Sequence, residues 1–182
     1  HTQRELITTI DNQTDRLNRL VGNWLDIARI EAGGLRLGCD WQDIAEIVGA
    51  VVQRQAHAHQ AIEVHIPADL PLIWANATLV DQVLTNIFDN AVKYTPQGTA
   101  IAIHAQARDV TNEMLIMLQD CGPGILPEDR PHIFETFYRG RHTNTSHSGS
   151  GLGLAICRGI ITAHGGAIWA EFPSDGGTII LF

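Results

Sequence analysis

The sequence predicts an α/β protein: a two-layer α/β sandwich, one mixed sheet with helices on one face, preceded by one long helix. Three observations carry that prediction. Apolar residues recur at 4-3-4-3 spacing from Leu6 to Ile27, the period of a helical seam. Farther along, helical patterns alternate with pairs of short apolar strands joined by polar turns. The helix expected over 79–94 carries an apolar stripe of Val80, Val83, Leu84, Ile87 and Ala91, so one of its sides can cover a sheet.

Residues 2–32 form the first helix. Leu6, Ile10, Gln13, Leu17, Leu20, Trp24 and Ile27 line a seam with one polar member, Gln13. Val21, Leu25 and Ala28 widen it toward the face of a helix bundle. A helix so apolar on one side needs partner helices, which predicts a dimer or a neighbouring helix; packing on its own domain is the alternative. Gly33-Gly34 ends it. Residues 35–41 read as a linker, 43–58 as a second helix, 62–66 as an alternating strand and 72–74, after Pro71, as a short strand. The 79–94 helix stops at Thr95-Pro96-Gln97-Gly98, and strands follow over 100–108 and 114–119. Residues 127–148 combine a short helical stretch through 137 with a polar loop. The last helix covers 152–164 and ends at Gly165-Gly166. The last strands are 167–172 and 178–182, with Asp175-Gly176-Gly177 as their turn. No internal repeat is visible. The chain therefore divides into 1–34, an appended helix, and 35–182, the main domain.

The 182 residues carry a net charge of −8, which argues against a nucleic-acid partner. Any bound polyphosphate needs local positive charge or a metal. The sequence has no run of about 18 apolar residues that could span a membrane and no signal peptide at its start. Cys39, Cys121 and Cys157 are scattered and lack Cys-x-x-Cys spacing, so neither a disulfide framework nor a zinc site is expected, and a reducing compartment fits. The chain opens inside a helical pattern and closes on Ile179-Ile180-Leu181-Phe182, which reads as a piece of something longer.

Four constellations carry chemistry. Lys93 is the single lysine among 12 Lys and Arg side chains. Asn86, Asn90 and Lys93 stand at i, i+4 and i+7, one polar stripe beside the apolar one. Carboxamide oxygens suit a hard cation such as Mg²⁺, and a flexible ammonium suits a phosphate oxygen. Next, Asp120-Cys121-Gly122-Pro123-Gly124 leaves an apolar strand. An Asp there is partly buried and needs a donor, for which a purine amino group is suitable, and the glycines let backbone approach a flat ring. A strand-ending cap is the plainer reading. Third, Gly149-Ser150-Gly151-Leu152-Gly153-Leu154 opens a helix, where backbone N–H groups favour phosphate, although such runs are also flexible linkers. It is neither a dinucleotide-binding fingerprint nor a P-loop. Finally, in Phe134-Glu135-Thr136-Phe137-Tyr138-Arg139 the aromatics would anchor the segment and leave Arg139, with Arg141 as a weaker candidate, to reach a terminal phosphate. A solvated Arg on an apolar patch is the alternative.

In this order over 79–178, Asn86-x-x-x-Asn90-x-x-Lys93-Tyr94, Asp120-x-Gly122-x-Gly124, Phe134-Glu135-x-Phe137-Tyr138-Arg139, Gly149-x-Gly151-x-Gly153 and Gly177-Thr178 resemble the N, G1, F, G2 and G3 boxes of bacterial sensor histidine kinases. The helix ending Leu25-Asp26-Ile27-Ala28-Arg29-Ile30-Glu31-Ala32-Gly33 resembles the second helix of that family's dimerisation hairpin, so the resemblance covers nearly the whole chain. Gly33-Gly34 followed by Leu35, Leu37 and Trp41 is similar to KdpD-type, potassium-responsive kinases.

The resemblance implies a Bergerat-type (GHKL) domain that binds ATP and Mg²⁺. By position, Asn90 would ligate Mg²⁺ with Asn86 beside it, and Lys93 would contact phosphate. Tyr94 and Tyr138 would lie at the nucleotide. Asp120 would accept from the adenine amino group, with Gly122, Gly124 and Ile125 in the same pocket and Thr178 closing it. Arg139 would steady the γ-phosphate. Gly149, Ser150, Gly151, Leu152, Gly153 and Leu154 would hinge the lid and meet phosphates. The chemistry agrees, because phosphoryl transfer needs charge neutralisation and alignment more than covalent help. Related ATPases such as gyrase carry a Glu near the position of Asn86 to activate water; a neutral Asn favours transfer to a protein nucleophile.

The full protein would then pass the γ-phosphate to a His and on to an Asp of a cognate response regulator. It would act as a homodimer, on the cytoplasmic side of an inner-membrane-anchored sensor. The family's acceptor His lies in a His-Glu/Asp-x-x-x-Pro context that does not occur here. His1, followed by Thr2-Gln3-Arg4-Glu5-Leu6, does not supply it, so this chain is expected to bind ATP without labelling itself. His57 and His59 read as a solvated face, His142 and His147 fall in the lid, and His164 takes a local structural role. Cys121 stands where the family usually has Asn. The rival readings are a GHKL ATPase or Ser-directed kinase, and a non-catalytic nucleotide-sensing or interaction module.

Overall fold

The computed structural model describes residues 7, 14, 21, 22, 24, 25, 27, 28, 32, 37–55, 61–108, 111–140, 150–174 and 176–182. Its elements run β1 (Asp40–Gln42), α1 (Ile44–Gln55), β2 (Ile62–His65), β3 (Ile73–Ala75), α2 (Ala77–Tyr94), β4 (Ile101–Arg108), β5 (Glu113–Asp120), a 3₁₀ turn (Arg130–His132), α3 (Gly153–Ala163), β6 (Trp169–Glu171) and β7 (Thr178–Leu181). Five strands form the main sheet in the order β2-β4-β5-β7-β6. It is mixed as expected, with β2 parallel to β4 and the other pairs antiparallel.

Strand alternation decides which side is covered. Ile101, Ile103 and Ala105 of β4 share a face with Ile116 and Leu118 of β5 and Ile180 of β7, and all six are buried in the core. The opposing layer is helical. Ile44, Ile47, Val48 and Val51 of α1, the expected stripe of α2 together with Phe88, and Ile156, Cys157, Ile160 and Ile161 of α3 meet that face. Each fully buried Leu, Ile or Phe contributes roughly 1.5–3 kcal/mol. That apolar side fixes the rotation of α2 and leaves Asn86, Asn90 and Lys93 half-buried at the edge of the core.

Two sequence expectations are corrected. Residues 35–41 are not wholly linker, because Asp40–Gln42 pairs antiparallel with Ile73–Ala75 as a second, two-stranded sheet. Trp41 lies opposite Trp74, and their rings meet edge-on at 5.4 Å, a pairing worth about 0.5–1.5 kcal/mol beyond area burial. The helical stretch expected through 137 is only the single turn Arg130–His132, with Pro131 inside it. Smaller shifts move β2 to end at His65 and α2 to begin at Ala77.

Asn76 sets that start. Its side chain accepts from Leu79 N–H at 3.0 Å, capping α2, and donates to Gly38 O at 3.1 Å. Its own N–H donates to His164 Nε2 at 3.1 Å, while His164 Nδ1 lies 2.9 Å from Ile160 O. These partners require Nδ1 to carry the proton, so His164 joins the end of α3 to the start of α2. Asn76→Ala keeps the backbone bond and loses both side-chain bonds. It should cost about 1–2 kcal/mol in urea unfolding, and a loss within error would deny the cap its role.

Before Cys39, the described residues 7, 14, 21, 22, 24, 25, 27 and 28 are helical. Ile27 packs on the core, whereas Ile7, Val21, Trp24 and Leu25 are exposed. Leu6, Ile10, Gln13, Leu17, Leu20, Gly33, Gly34, Leu35, His57, His59, Arg141, His142, His147, Gly149 and Asp175, as well as His1, lie outside the described residues.

Candidate functional site

Helix α2 packs between α1 and α3, so its polar stripe runs along the edge shared with the start of α3. Asn86 points at that start. Its Nδ2 lies 3.5 Å from Gly153 O, and its side chain also hydrogen-bonds the Cys157 thiol. Burial pushes that thiol up to about 12, so Cys157 is a neutral support behind Asn86 and not a nucleophile. Two turns on, the Lys93 ammonium lies 4.8 Å from the centre of the Tyr94 ring. From Asn86 to Tyr94 the helix advances about 12 Å, a span that suits an elongated ligand.

A second group gathers at the C-terminal end of α2. Asp120 ends β5 opposite Thr178, the first residue of β7. Its Oδ1 accepts from Gly122 N–H at 2.8 Å, and Thr178 N–H also donates to it. Burial nevertheless raises the Asp120 carboxyl above the ordinary range, the two N–H donors opposing it only in part. Backbone crowds this corner. A Cβ on Gly122 would lie 2.8 Å from Asp120 Oδ1 and 3.1 Å from Tyr94 O. Gly177 N–H donates to Gly122 O at 2.9 Å, which ties the two glycine turns together. The structure thus brings Tyr94, Asp120, Gly122, Gly124, Gly177 and Thr178 to one place.

The third group is the segment around Arg139. Phe134 packs on the core, but Phe137 is exposed and does not anchor the segment as expected. Phe137 sits at φ 65 with its N–H donating to Gly151 O at 3.0 Å. Gly151, at φ +70, lies so close that a Cβ would come within 2.7 Å of Tyr138 O. The Tyr138 hydroxyl donates to Asp129 Oδ1 at 2.6 Å. Ile125 is held by its carbonyl, which accepts from Arg130 Nε at 3.0 Å. Arg139 is exposed.

Among the residues expected to meet phosphate, Leu152 is buried in the core and Leu154 packs against it, so only their backbones are available to a ligand. Ser150 Oγ accepts from Leu152 N–H at 3.3 Å. Sequence reasoning missed Asp129, which is 6% exposed and bonded to a residue nine positions on. No spacing rule could have paired the two across an irregular turn.

The donor set fits a nucleotide with a hard cation. Among the described residues, no group of three or more His, Cys, Asp or Glu could hold a metal unaided. Carboxamide oxygens on α2 would have to share a cation with oxygens of the ligand. The crowded Gly122 and Gly177 turns leave flat backbone beside the Asp120 acceptor.

Comparison with known proteins agrees. The sequence model of the family described as histidine kinase-, DNA gyrase B-, and HSP90-like ATPase matches residues 75–182. The sensor protein KdpD of Clostridium acetobutylicum is 35% identical over 185 residues, an alignment covering 99% of this chain and 20% of that protein. KdpD of Escherichia coli is 38% identical over 160 residues, covering 87% of this chain and 18% of its own length. The chain thus spans about a fifth of these relatives. Among solved structures, full-length ShkA in complex with AMPPNP superposes with a TM-score of 0.85 at 31% identity, over 100% of this chain and 38% of that one. The chain belongs to the histidine kinase-, DNA gyrase B- and HSP90-like ATPase family, as the catalytic domain of a bacterial sensor histidine kinase.

Proposed function

We propose that this domain binds ATP together with Mg²⁺ and that, in the whole protein, the γ-phosphate passes to a histidine on a hairpin helix and then to an aspartate of a response regulator. The observation that carries the reading is the continuity of the Asp120, Gly122 and Thr178 corner with the Asn86, Asn90 and Lys93 stripe through Tyr94. Asp120 would take the adenine amino group, with Gly122, Gly124, Ile125 and Thr178 around the ring. Asn90, aided by Asn86, would hold the metal. Lys93, Arg139 and the backbone of residues 149–153 would meet phosphates. ATP brings the phosphoryl group, and the metal brings charge neutralisation. The AMPPNP complex of ShkA supports nucleotide binding here.

Asn86 is neutral and engaged by Gly153 and Cys157, which favours transfer over hydrolysis. The exposed Ile7, Val21, Trp24 and Leu25 support a partner helix and a dimer. Among the described residues, no helix is long and apolar enough to cross a membrane. The reading places this domain on the cytoplasmic side of a membrane-anchored sensor, and the two KdpD relatives support a KdpD-type one.

Calorimetric titration tests the reading. ATP should bind more tightly with Mg²⁺ than without, and Asn90→Ala should erase that difference. When an acceptor hairpin is supplied with labelled ATP, label should move onto its histidine. Steady phosphate release without labelled hairpin would make the domain an ATPase, and nucleotide binding with neither would make it a sensing module.

A further inference from the structure

We propose that Asp129 is a positioning residue that fixes the backbone carrying Arg139. The inference rests on the nucleotide reading of the site and adds a residue that the kinase motifs do not include. Asp129 is 6% exposed, the deepest burial of any described acidic side chain. A buried carboxylate needs donors, and it does not find them by capping its own helix. It stands at the N-cap of the Arg130–His132 turn with no side-chain capping bond.

Its two oxygens face the residues on either side of Arg139 instead. Oδ1 accepts the Tyr138 hydroxyl at 2.6 Å, a short bond of the charge-assisted kind. Oδ2 lies against Gly140, where a Cβ would come within 2.6 Å of it. One carboxylate therefore holds the Tyr138 hydroxyl and lies against Gly140, on either side of Arg139, which is exposed. The Tyr138 ring is backed by the His132 ring at 5.3 Å, and His132 Nδ1 meets Glu135 Oε1 at 2.8 Å. On the far side, Phe137 N–H donates to Gly151 O. An exposed Arg loses side-chain freedom when it binds a phosphate, so fixing its backbone beforehand lowers the ordering cost of that contact.

The test uses Asp129→Ala, Tyr138→Phe and Arg139→Ala, each in this chain, with two readouts. Amide hydrogen exchange over 137–140 reports the grip without any nucleotide. Exchange should speed up in Asp129→Ala and Tyr138→Phe while α2 stays protected. Unchanged exchange in both would overturn the proposal. The ratio of ATP to ADP affinity reports Arg139. It should fall roughly tenfold in Asp129→Ala, the equivalent of one charge-assisted hydrogen bond, with ADP affinity unchanged. In the Arg139→Ala background, Asp129→Ala should lower the ratio no further, because it acts through that side chain. A full additional loss there, or equal loss of ATP and ADP affinity, would mean a purely structural role and overturn the positioning claim. Faster exchange beside an unaltered ratio in Arg139→Ala would support the grip and instead reject the phosphate role of Arg139.

Discussion

Gly177→Ala should destabilise the domain by roughly 2–5 kcal/mol and abolish nucleotide binding. Gly177 sits at φ +80, where a side chain costs about 1–2 kcal/mol. A Cβ there would also run into Asp120 O and lie 3.1 Å from Asp120 C, far inside contact distance. The obstacle is backbone and cannot rotate away, so overpacking adds ~1–3 kcal/mol or more. Relief requires separating the end of β5 from the start of β7, where Asp120 and Thr178 are register partners and Gly177 N–H donates to Gly122 O. A stability of about 5–15 kcal/mol makes such a loss severe. Gly165→Ala is the control: its φ is +82, yet nothing lies within 4 Å, so only about 1 kcal/mol should be lost. Urea unfolding of both variants measures the difference. Equal losses would show that the Gly177 contact relaxes freely.

The same corner shows what the sequence made legible. The apolar period over 79–94 placed α2 and the direction of its polar stripe, because one side of a helix over a sheet must be apolar. Alternation in β4 and β5 and the glycine turns were equally local signals, and they bound the site on two sides. What escaped depends on pairing at a distance. The three residues of β1 are too few for a period, and Trp41 acquires meaning only opposite Trp74. The exposure of Phe137 follows from a positive φ that aromatics seldom adopt, so an apolar residue in an apolar stretch was wrongly expected to be an anchor. Asp129 looked like one more acid in a polar turn, and only its bond to Tyr138 reveals it. His164 was legible as a helix-end residue, through Ile160, but its second bond to Asn76 spans the fold.

Asp120→Asn should separate stability from binding. The folded state holds the Asp120 proton more tightly than the unfolded chain, because burial penalises the carboxylate more than the Gly122 and Thr178 N–H donors favour it. A raised folded pKa contributes stability below the unfolded value and loses it as pH rises through the folded one. Once pH has risen through the folded value, the native carboxylate is charged and bears its desolvation cost. An Asn of the same shape keeps an oxygen for Gly122 N–H and carries no charge. The variant should therefore melt higher than the parent at neutral pH, with the gain shrinking in acid as the parent's carboxyl takes up its proton. A variant melting lower at neutral pH would show that the donors outweigh burial. Its ATP affinity should nevertheless fall about 10- to 150-fold, the value of one hydrogen bond to a charged acceptor. If ATP binds the variant as tightly as the parent, Asp120 is a strand-ending cap and the adenine must find its acceptor elsewhere. A carboxylate retained where it costs stability is physically coherent only if it meets a ligand, and melting and binding measured on one variant decide between the two.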